Sequence, residues 1–335
     1  MDAERWSFAY NNANDTVGRA HHHFAPPALI GALLLALSAT GFLFNFIAAY
    51  VIVCGGFLKR SSSPIYKPML SLLGSDSLKL AAYGFYLCPE IILERQLLPD
   101  PWHGVVSVVA LWAWDQSCVT LSILAINRFV GVCFPFYAPV VFSHGKMLWL
   151  CVTTWPLSLL VCVVGQTMLP CCRISLEFAY YCPAFLNPKG DFNWVDVFIE
   201  WPYNLGSTMI FVVCYSGILW TIRSSNRRMA ASLQKQPSVD RQVDQRDRQE
   251  ARLAIQFLVI TLVHMVAWIV FRLIPTLVGE DKQLRQLYAG VTVSVAVNMS
   301  VNSFIYLFWN KEMRRKWRHR RRKETAASSV KMDSL

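Results

Sequence analysis

Charged residues are scarce in this chain. Lys, Arg, Asp and Glu make up 16% of its 335 residues, whereas hydrophobic residues make up 54%. An ordinary soluble domain contains about 25% charged and about 45 to 50% apolar residues. The shortage of charge therefore argues against a soluble protein and indicates that lipid surrounds most of the chain.

Other absences exclude classes of function. The last apolar run contains no lysine between residues 286 and 309, so it cannot form a retinal Schiff base. His264 is the only histidine deep in an apolar run, and no His, Glu or Asp accompanies it at the spacing of a metalloenzyme. His21-His22-His23 lies in a polar tail without a nearby fourth ligand. We predict that the protein is not an enzyme and has no metal or cofactor.

The chain also lacks internal repeats, which transporters often show. A multi-pass transporter of a small solute stays open as the alternative function, because charged residues within the apolar runs could line a path. These residues are Asp76, Lys79, Asp115 and Arg272.

Seven apolar runs are long enough to cross a membrane as helices, which takes roughly 20 residues each. Lipid offers no hydrogen-bond partners, so such runs must satisfy their own backbones. We predict an all-α bundle of seven transmembrane helices over 27–316, between an outer tail at 1–26 and an inner tail at 317–335. A short amphipathic helix should follow the last span. The predicted spans are 27–53, 65–88, 103–127, 147–169, 196–222, 251–275 and 285–309.

The connections on the two sides of the bundle differ in basic residues. One side carries 22 Lys and Arg and the other seven, which predicts an outer N-terminus and a cytoplasmic C-terminus. The basic cluster after residue 313 should meet lipid headgroups rather than nucleic acid. Asn14-Asp15-Thr16 is a candidate glycosylation acceptor on the outer tail.

Four of the ten cysteines can reach an oxidising exterior. We favour a loop closed by Cys171 or Cys172 with Cys182, and Cys88 is the fourth candidate. The remaining cysteines should be small buried hydrophobic residues.

Charged residues in the outer half of the bundle are candidates for a ligand pocket between the third, fifth, sixth and seventh helices. Asp115 and Arg272 could instead pair with one another. The pocket candidates are Asp115, Glu200, Trp268 and Arg272.

Five motifs occur in the order seen in rhodopsin-like G-protein-coupled receptors, which the chain resembles. They are Asn45, Asp76, Asn127-Arg128-Phe129, Trp155 and Asn302-Ser303-Phe304-Ile305-Tyr306. More narrowly, four segments are similar to nematode chemoreceptors of the serpentine receptor class X type. These segments are Ala125-Ile126-Asn127-Arg128-Phe129, Phe134-Pro135, Phe142-Ser143 and Phe308-Trp309-Asn310-Lys311-Glu312-Met313-Arg314.

The resemblance implies a plasma-membrane receptor that binds an outside chemical or peptide stimulus and couples it to a heterotrimeric G protein. In such receptors the arginine after the third helix engages the G protein once the sixth helix swings outward, and a seventh-helix tyrosine supports that arrangement. These roles fall on Arg128 and Tyr306. The implied coupling residues are Asn127, Arg128, Phe129, Tyr215, Asn302 and Tyr306.

A second implied site is an intramembrane polar network, similar to the cluster that holds sodium in many such receptors. Lys79 departs from that pattern, and we expect it to supply the countercharge to Asp76 and to weaken sodium sensitivity. The predicted members are Asn45, Asp76, Lys79, Ser117 and Asn298.

Two further departures concern the switch and the outer bridge. Asn127 stands where an aspartate is more familiar, so we expect a weaker resting lock and higher basal signalling. His103, 25 residues before Arg128, stands where related receptors usually carry a bridged cysteine. The bridge is then local to the second outer loop, goes to Cys88, or is absent.

Overall fold

The protein is described by a computed structural model over residues 25–60, 62–169, 172–185, 192–232, 240–278, 285–310 and 313–315. These residues form a bundle of seven spans. The first is Pro27–Cys54, the second joins Tyr66–Ala82, Tyr83–Leu87 and Cys88–Leu93, the third is Asp100–Cys133, and the fourth is His144–Met168. The fifth joins Asp196–Glu200 and Trp201–Ser232, the sixth is Asp240–Val278, and the seventh joins Arg285–Tyr288, Ala289–Phe304 and Ile305–Trp309.

The predicted seven-helix architecture is confirmed. Within the described residues, six spans are long and apolar enough to cross a membrane by length and composition alone. The second span is not among these six, and it carries the charged residues Asp76 and Lys79. Helical backbone at 313–315 follows the last span.

The fifth and sixth spans extend further than predicted. Their helices continue to Ser232 and begin at Asp240, beyond the apolar runs that ended the predicted spans at 222 and 251. The described parts of the polar connection between these two spans are therefore helical.

A β-hairpin in the second outer loop was not predicted. Strands β1 (Ile174–Glu177) and β2 (Cys182–Phe185) are antiparallel, with Ile174 opposite Phe185. Tyr181 adopts a left-handed backbone conformation in the turn. The hairpin lies across the outer ends of the third and seventh spans, because Ser107 Oγ accepts from Leu176 N at 3.0 Å and Thr292 Oγ1 donates to Tyr181 O at 2.6 Å.

The third span is the centre of the bundle. It packs against the second, fourth and fifth spans and against β1, and its Ala113, Leu124 and Ala125 are fully buried. One apolar cluster fills the inner half of the bundle around Leu124 and a second fills the outer half around Trp114. The buried polar side chains of the bundle lie within and between these clusters.

Gly41 allows the first span to approach the seventh closely. A Cβ at this position would lie 2.0 Å from Ser300 Oγ and 3.1 Å from Leu80 Cδ1. One turn further along, Asn45 Nδ2 donates to Met299 O at 3.2 Å. Small residues and side-chain amides are the usual means of helix association in lipid, where apolar surfaces gain little from leaving the solvent.

We predict that Gly41→Leu destabilises the protein by about 3 kcal/mol, because the added side chain must displace Ser300 and Leu80 from a close-packed contact. Thermal unfolding of the purified protein in detergent measures the change. Gly104→Leu is the matched control, since open space surrounds Gly104. Equal melting temperatures for the two variants would show that the first and seventh spans do not meet at Gly41.

Candidate functional site

Arg128 lies at the inner end of the third span and is 7% exposed. Its guanidinium lies over the ring of Phe257 in the sixth span, 5.2 Å from the ring centroid. It also interacts electrostatically with Tyr215 of the fifth span and Tyr306 of the seventh. Four spans therefore meet at one cation, and any separation of the sixth span from the third changes its surroundings.

The neighbours of Arg128 differ in their environments. Asn127 is half-buried. Phe129 packs against Gly217 of the fifth span, where a Cβ would lie 2.4 Å from the phenylalanine ring. Phe129 also meets Phe134 edge-on with ring centroids 5.8 Å apart. The contact between Phe129 and Gly217 holds the inner end of the third span beside the fifth.

Asp76 is the hub of the intramembrane polar network. Ser117 Oγ donates to Asp76 Oδ1 at 3.0 Å, and Asn302 Nδ2 donates to Asp76 Oδ2 at 2.5 Å. Ser75 Oγ lies 2.9 Å from Ser117 Oγ. The carboxyl group thus joins the second, third and seventh spans, while Asn45 binds the seventh-span backbone separately.

The expected ion pair between Lys79 and Asp76 is not formed in the structure. Lys79 Nζ lies 5.4 Å from the ring centroid of Tyr83 and 5.2 Å from that of Trp114. Donors already occupy both oxygens of Asp76, and the long lysine stem reaches one turn outward. The prediction of weak sodium sensitivity assumed that Lys79 supplies the countercharge to Asp76, and the structure does not support that assumption.

His264 of the sixth span occupies the middle of the bundle, and sequence reasoning missed its role. Its ring stacks on Trp114 at 4.8 Å and meets Phe211 edge-on at 6.1 Å. Its Nε2 lies 3.4 Å from Cys118 Sγ, and its Nδ1 lies 3.2 Å from Asn298 Nδ2. The sequence signal for this role is the position of a histidine deep in an apolar run.

Asp115 and Glu200 lie together in the outer half of the bundle, at the level of Lys79. Asp115 is fully buried and Glu200 is 3% exposed, and the two carboxyl groups interact electrostatically with each other and with Lys79. Asn204 Nδ2 donates to Glu200 Oε2 at 3.1 Å, and Trp114 Nε1 donates to Asn204 Oδ1 at 3.0 Å.

The other two predicted pocket residues belong to a separate arrangement nearer the outer surface. Arg272 forms a two-pronged ion pair with Asp196, with Nη1 2.9 Å from Oδ2. Its guanidinium also lies 5.1 Å from the ring centroid of Trp201, which Trp268 meets edge-on at 5.8 Å. The alternative pair between Arg272 and Asp115 is not formed in the structure.

Hydrogen bonds of His103 join the third span to the second outer loop, at the position where a disulfide is usual in related receptors. His103 Nδ1 lies 2.5 Å from Tyr86 Oη, and His103 Nε2 lies 2.6 Å from Ser175 Oγ of β1. Glu177 Oε1 is 3.9 Å from His103 Nε2, and burial raises the pKa of the Glu177 carboxyl to about 7. A histidine thus ties the third span to the hairpin where related receptors use a disulfide.

The favoured disulfide with Cys182 is wrong. Cys88 and Cys182 are both free and buried, while Cys172 is disulfide-bonded. Cys171 lies outside the described residues, as do Asn14, His21, His22 and His23. Within the described part of the chain, no group of His, Cys, Asp and Glu could hold a metal ion.

We predict that Tyr306→Phe leaves the stability unchanged or raises it by up to about 1 kcal/mol, because the buried Tyr306 hydroxyl has no hydrogen-bond partner. Thermal unfolding measures this. Tyr215→Phe is the matched control, since its hydroxyl bonds with Thr261 and its loss should cost about 1 kcal/mol. Equal destabilisation by both substitutions would show that Tyr306 already has a partner at rest.

Comparison with known proteins supports the seven-helix fold. The family described as "Serpentine type 7TM GPCR chemoreceptor Srx" matches residues 35–310. Cannabinoid receptor 2 of Mus musculus is 24% identical over 312 residues, covering 87% of this chain and 80% of that receptor. The crystal structure of squid rhodopsin has the same fold, with a TM-score of 0.72 at 19% identity, covering 87% of this chain and 80% of the rhodopsin.

Two human olfactory receptors are also similar. Olfactory receptor 10AG1 of Homo sapiens is 25% identical over 149 residues, covering 39% of this chain and 47% of that receptor. Olfactory receptor 10A7 of Homo sapiens is 24% identical over 198 residues, covering 53% of this chain and 62% of that receptor. The match thus spans between about half and three-fifths of the length of these relatives.

Proposed function

Because the chain belongs to the Srx family of serpentine-type seven-transmembrane GPCR chemoreceptors, we propose that it binds an extracellular chemical and passes the signal to a heterotrimeric G protein. The stimulus binds in the outer half of the bundle. The G protein docks at the inner end, where Arg128 lies.

The surroundings of Arg128 carry this proposal. A cation buried near the membrane interface is costly unless it has partners. Its aromatic partner Phe257 comes from the sixth span, and Tyr215 and Tyr306 come from the fifth and seventh. A guanidinium can exchange such partners when helices shift, because its donors are fixed in a planar fork. The inner rim thus forms an element with two states that a bound partner can bias.

One feature of the structure and one of the comparisons argue against the alternative of a solute transporter. Of the four charged residues that could line a path, Asp76 is held by hydrogen bonds and Arg272 by its ion pair with Asp196. The family match also covers residues 35–310, which is most of the bundle.

The protein is an integral membrane protein, and we assign it to the plasma membrane with its N-terminus outside. The excess of basic residues lies on the side of Arg128, and cytoplasmic connections are the ones enriched in Lys and Arg. This orientation turns the Asp115 and Glu200 side of the bundle towards the exterior.

The proposal predicts that Arg128→Gln lowers G-protein activation by at least about tenfold, because the side chain no longer offers a charged group to the docked protein. The measurement is basal nucleotide exchange on purified heterotrimers of each Gα class, with the receptor in lipid nanodiscs. Arg223→Gln is the matched control, because Arg223 is exposed at the inner part of the fifth span.

Two results would contradict this function. One is basal exchange that is the same with Arg128→Gln as with the unmodified receptor. The other is solute uptake into sealed vesicles by a protein that accelerates exchange on no heterotrimer.

Asn127 provides an independent prediction in the same assay. We expect Asn127→Asp to lower basal exchange, because an acidic neighbour of Arg128 strengthens the resting arrangement. Measured basal exchange should fall while cell-surface expression is unchanged. An unaltered basal rate would mean that Asn127 does not set the strength of the lock.

A further inference from the structure

The outer carboxyl pair, Asp115 and Glu200, has unused hydrogen-bonding capacity. Neither Oδ1 nor Oδ2 of Asp115 accepts a hydrogen bond, and Oε1 of Glu200 accepts none either. Both residues are almost completely enclosed, at 0% and 3% exposure. Buried polar atoms are normally satisfied, and each one left without a partner carries a desolvation cost of about 1 to 3 kcal/mol or more.

Lys79 does not supply the missing donors. It interacts electrostatically with both carboxyl groups, but no ion pair within 4 Å joins its ammonium to either of them among the described residues. The ammonium instead lies over the rings of Tyr83 and Trp114. When both carboxyl groups are ionised, the single ammonium leaves this region one positive charge short of neutrality.

The nearby Arg272 does not correct the balance, because its charge is taken by Asp196 in the ion pair at the outer rim. Asn204 donates to Glu200 Oε2 and to the Glu200 backbone carbonyl, so its amide is already used. The carboxyl pair is therefore short of N–H donors and of one positive charge.

From this geometry we propose that the receptor's stimulus is a small organic amine whose ammonium group binds between Asp115 and Glu200. This inference rests on the proposed function and names the chemical class of its ligand. A primary ammonium carries three donors, which matches the three unpaired carboxylate oxygens. Its single positive charge matches the missing one.

The site is connected to the middle of the bundle. Trp114 stacks on His264, which bonds with Asn298 of the seventh span. Asp115 precedes Arg128 by 13 residues on the same helix, about 20 Å along its axis. An ammonium that draws Asp115 and Glu200 together therefore acts on the third and fifth spans, the two that also border Arg128.

The test measures binding separately from signalling. Primary alkylamines of two to eight carbons are added to the purified full-length receptor in nanodiscs, and the melting temperature is followed as a function of concentration. Alcohols and carboxylic acids of the same lengths are the comparison probes. We expect one or more amines to stabilise the receptor and the alcohols and acids to have no effect.

Three variants test the position of the ammonium. Asp115→Asn and Glu200→Gln should each weaken amine binding by at least about thirtyfold, because each removes a buried charge partner. Asp100→Asn is the matched control, since this exposed carboxylate lies on the third span outside the pair, and it should bind amines unchanged. Lys79→Met should tighten amine binding, because it removes a competing positive charge.

Several results would overturn the inference: no amine stabilises the receptor, an acid stabilises it instead, or Asp115→Asn binds the amine as tightly as the unmodified protein. Exchange on a G protein driven by a neutral or acidic compound, without amine binding, would overturn the inference and leave the proposed function standing. Amine binding through Asp115 with no exchange on any heterotrimer would support the site and overturn the proposed function.

Discussion

Lipid provides no hydrogen bonds, so polar side chains within the bundle depend on partners inside the protein, and those on another span join the helices. Asp76 shows how this constraint organises the fold, because its two carboxylate oxygens are held by Ser117 and Asn302. One acid thereby joins the second, third and seventh spans. The close approach at Gly41 and the amide of Asn45 add the first span to the seventh.

The partners are distributed unevenly along the bundle axis. Both carboxyl oxygens of Asp76 in the middle accept hydrogen bonds, whereas the carboxyl pair on the outer side and the Tyr306 hydroxyl on the inner side include buried atoms without a partner. Under the proposed function, a stimulus would supply partners to the outer atoms and a G protein to the inner one. His264, between Trp114 and Asn298, connects the two halves.

The sequence predicted the architecture well, because a run of about 20 apolar residues has few alternatives to a membrane helix. The family resemblance also placed Asp76 and Ser117 in one network, and a hydrogen bond joins them in the structure. The predicted ion pairs of long side chains were wrong. Lys79 lies over the ring of Trp114 instead of pairing with Asp76, and Arg272 pairs with Asp196 instead of Asp115. These choices depend on the distances between helices, which a single sequence does not contain.

Local structure that depends on irregular backbone was also missed. The outer hairpin consists of two strands of four residues each, too short for a clear alternating pattern, and it is held by bonds from Ser107 and Thr292 on distant spans. The disulfide with Cys182 was wrong for a similar reason. The positions of the cysteines in the sequence indicate which thiols lie on the same side of the membrane. Whether two thiols are close enough to bond depends on the hairpin, which the sequence did not predict.

The central claim of the proposed function is that the sixth span, whose Phe257 lies on the guanidinium of Arg128, moves away from Arg128 when a G protein docks. The most direct measurement is the distance between spin labels, introduced by noncanonical amino acids at Gly131 and Ile255, with and without a bound nucleotide-free heterotrimer. The account predicts a shift of the distance distribution by several ångströms to longer values. A distribution that the heterotrimer leaves unchanged would contradict it.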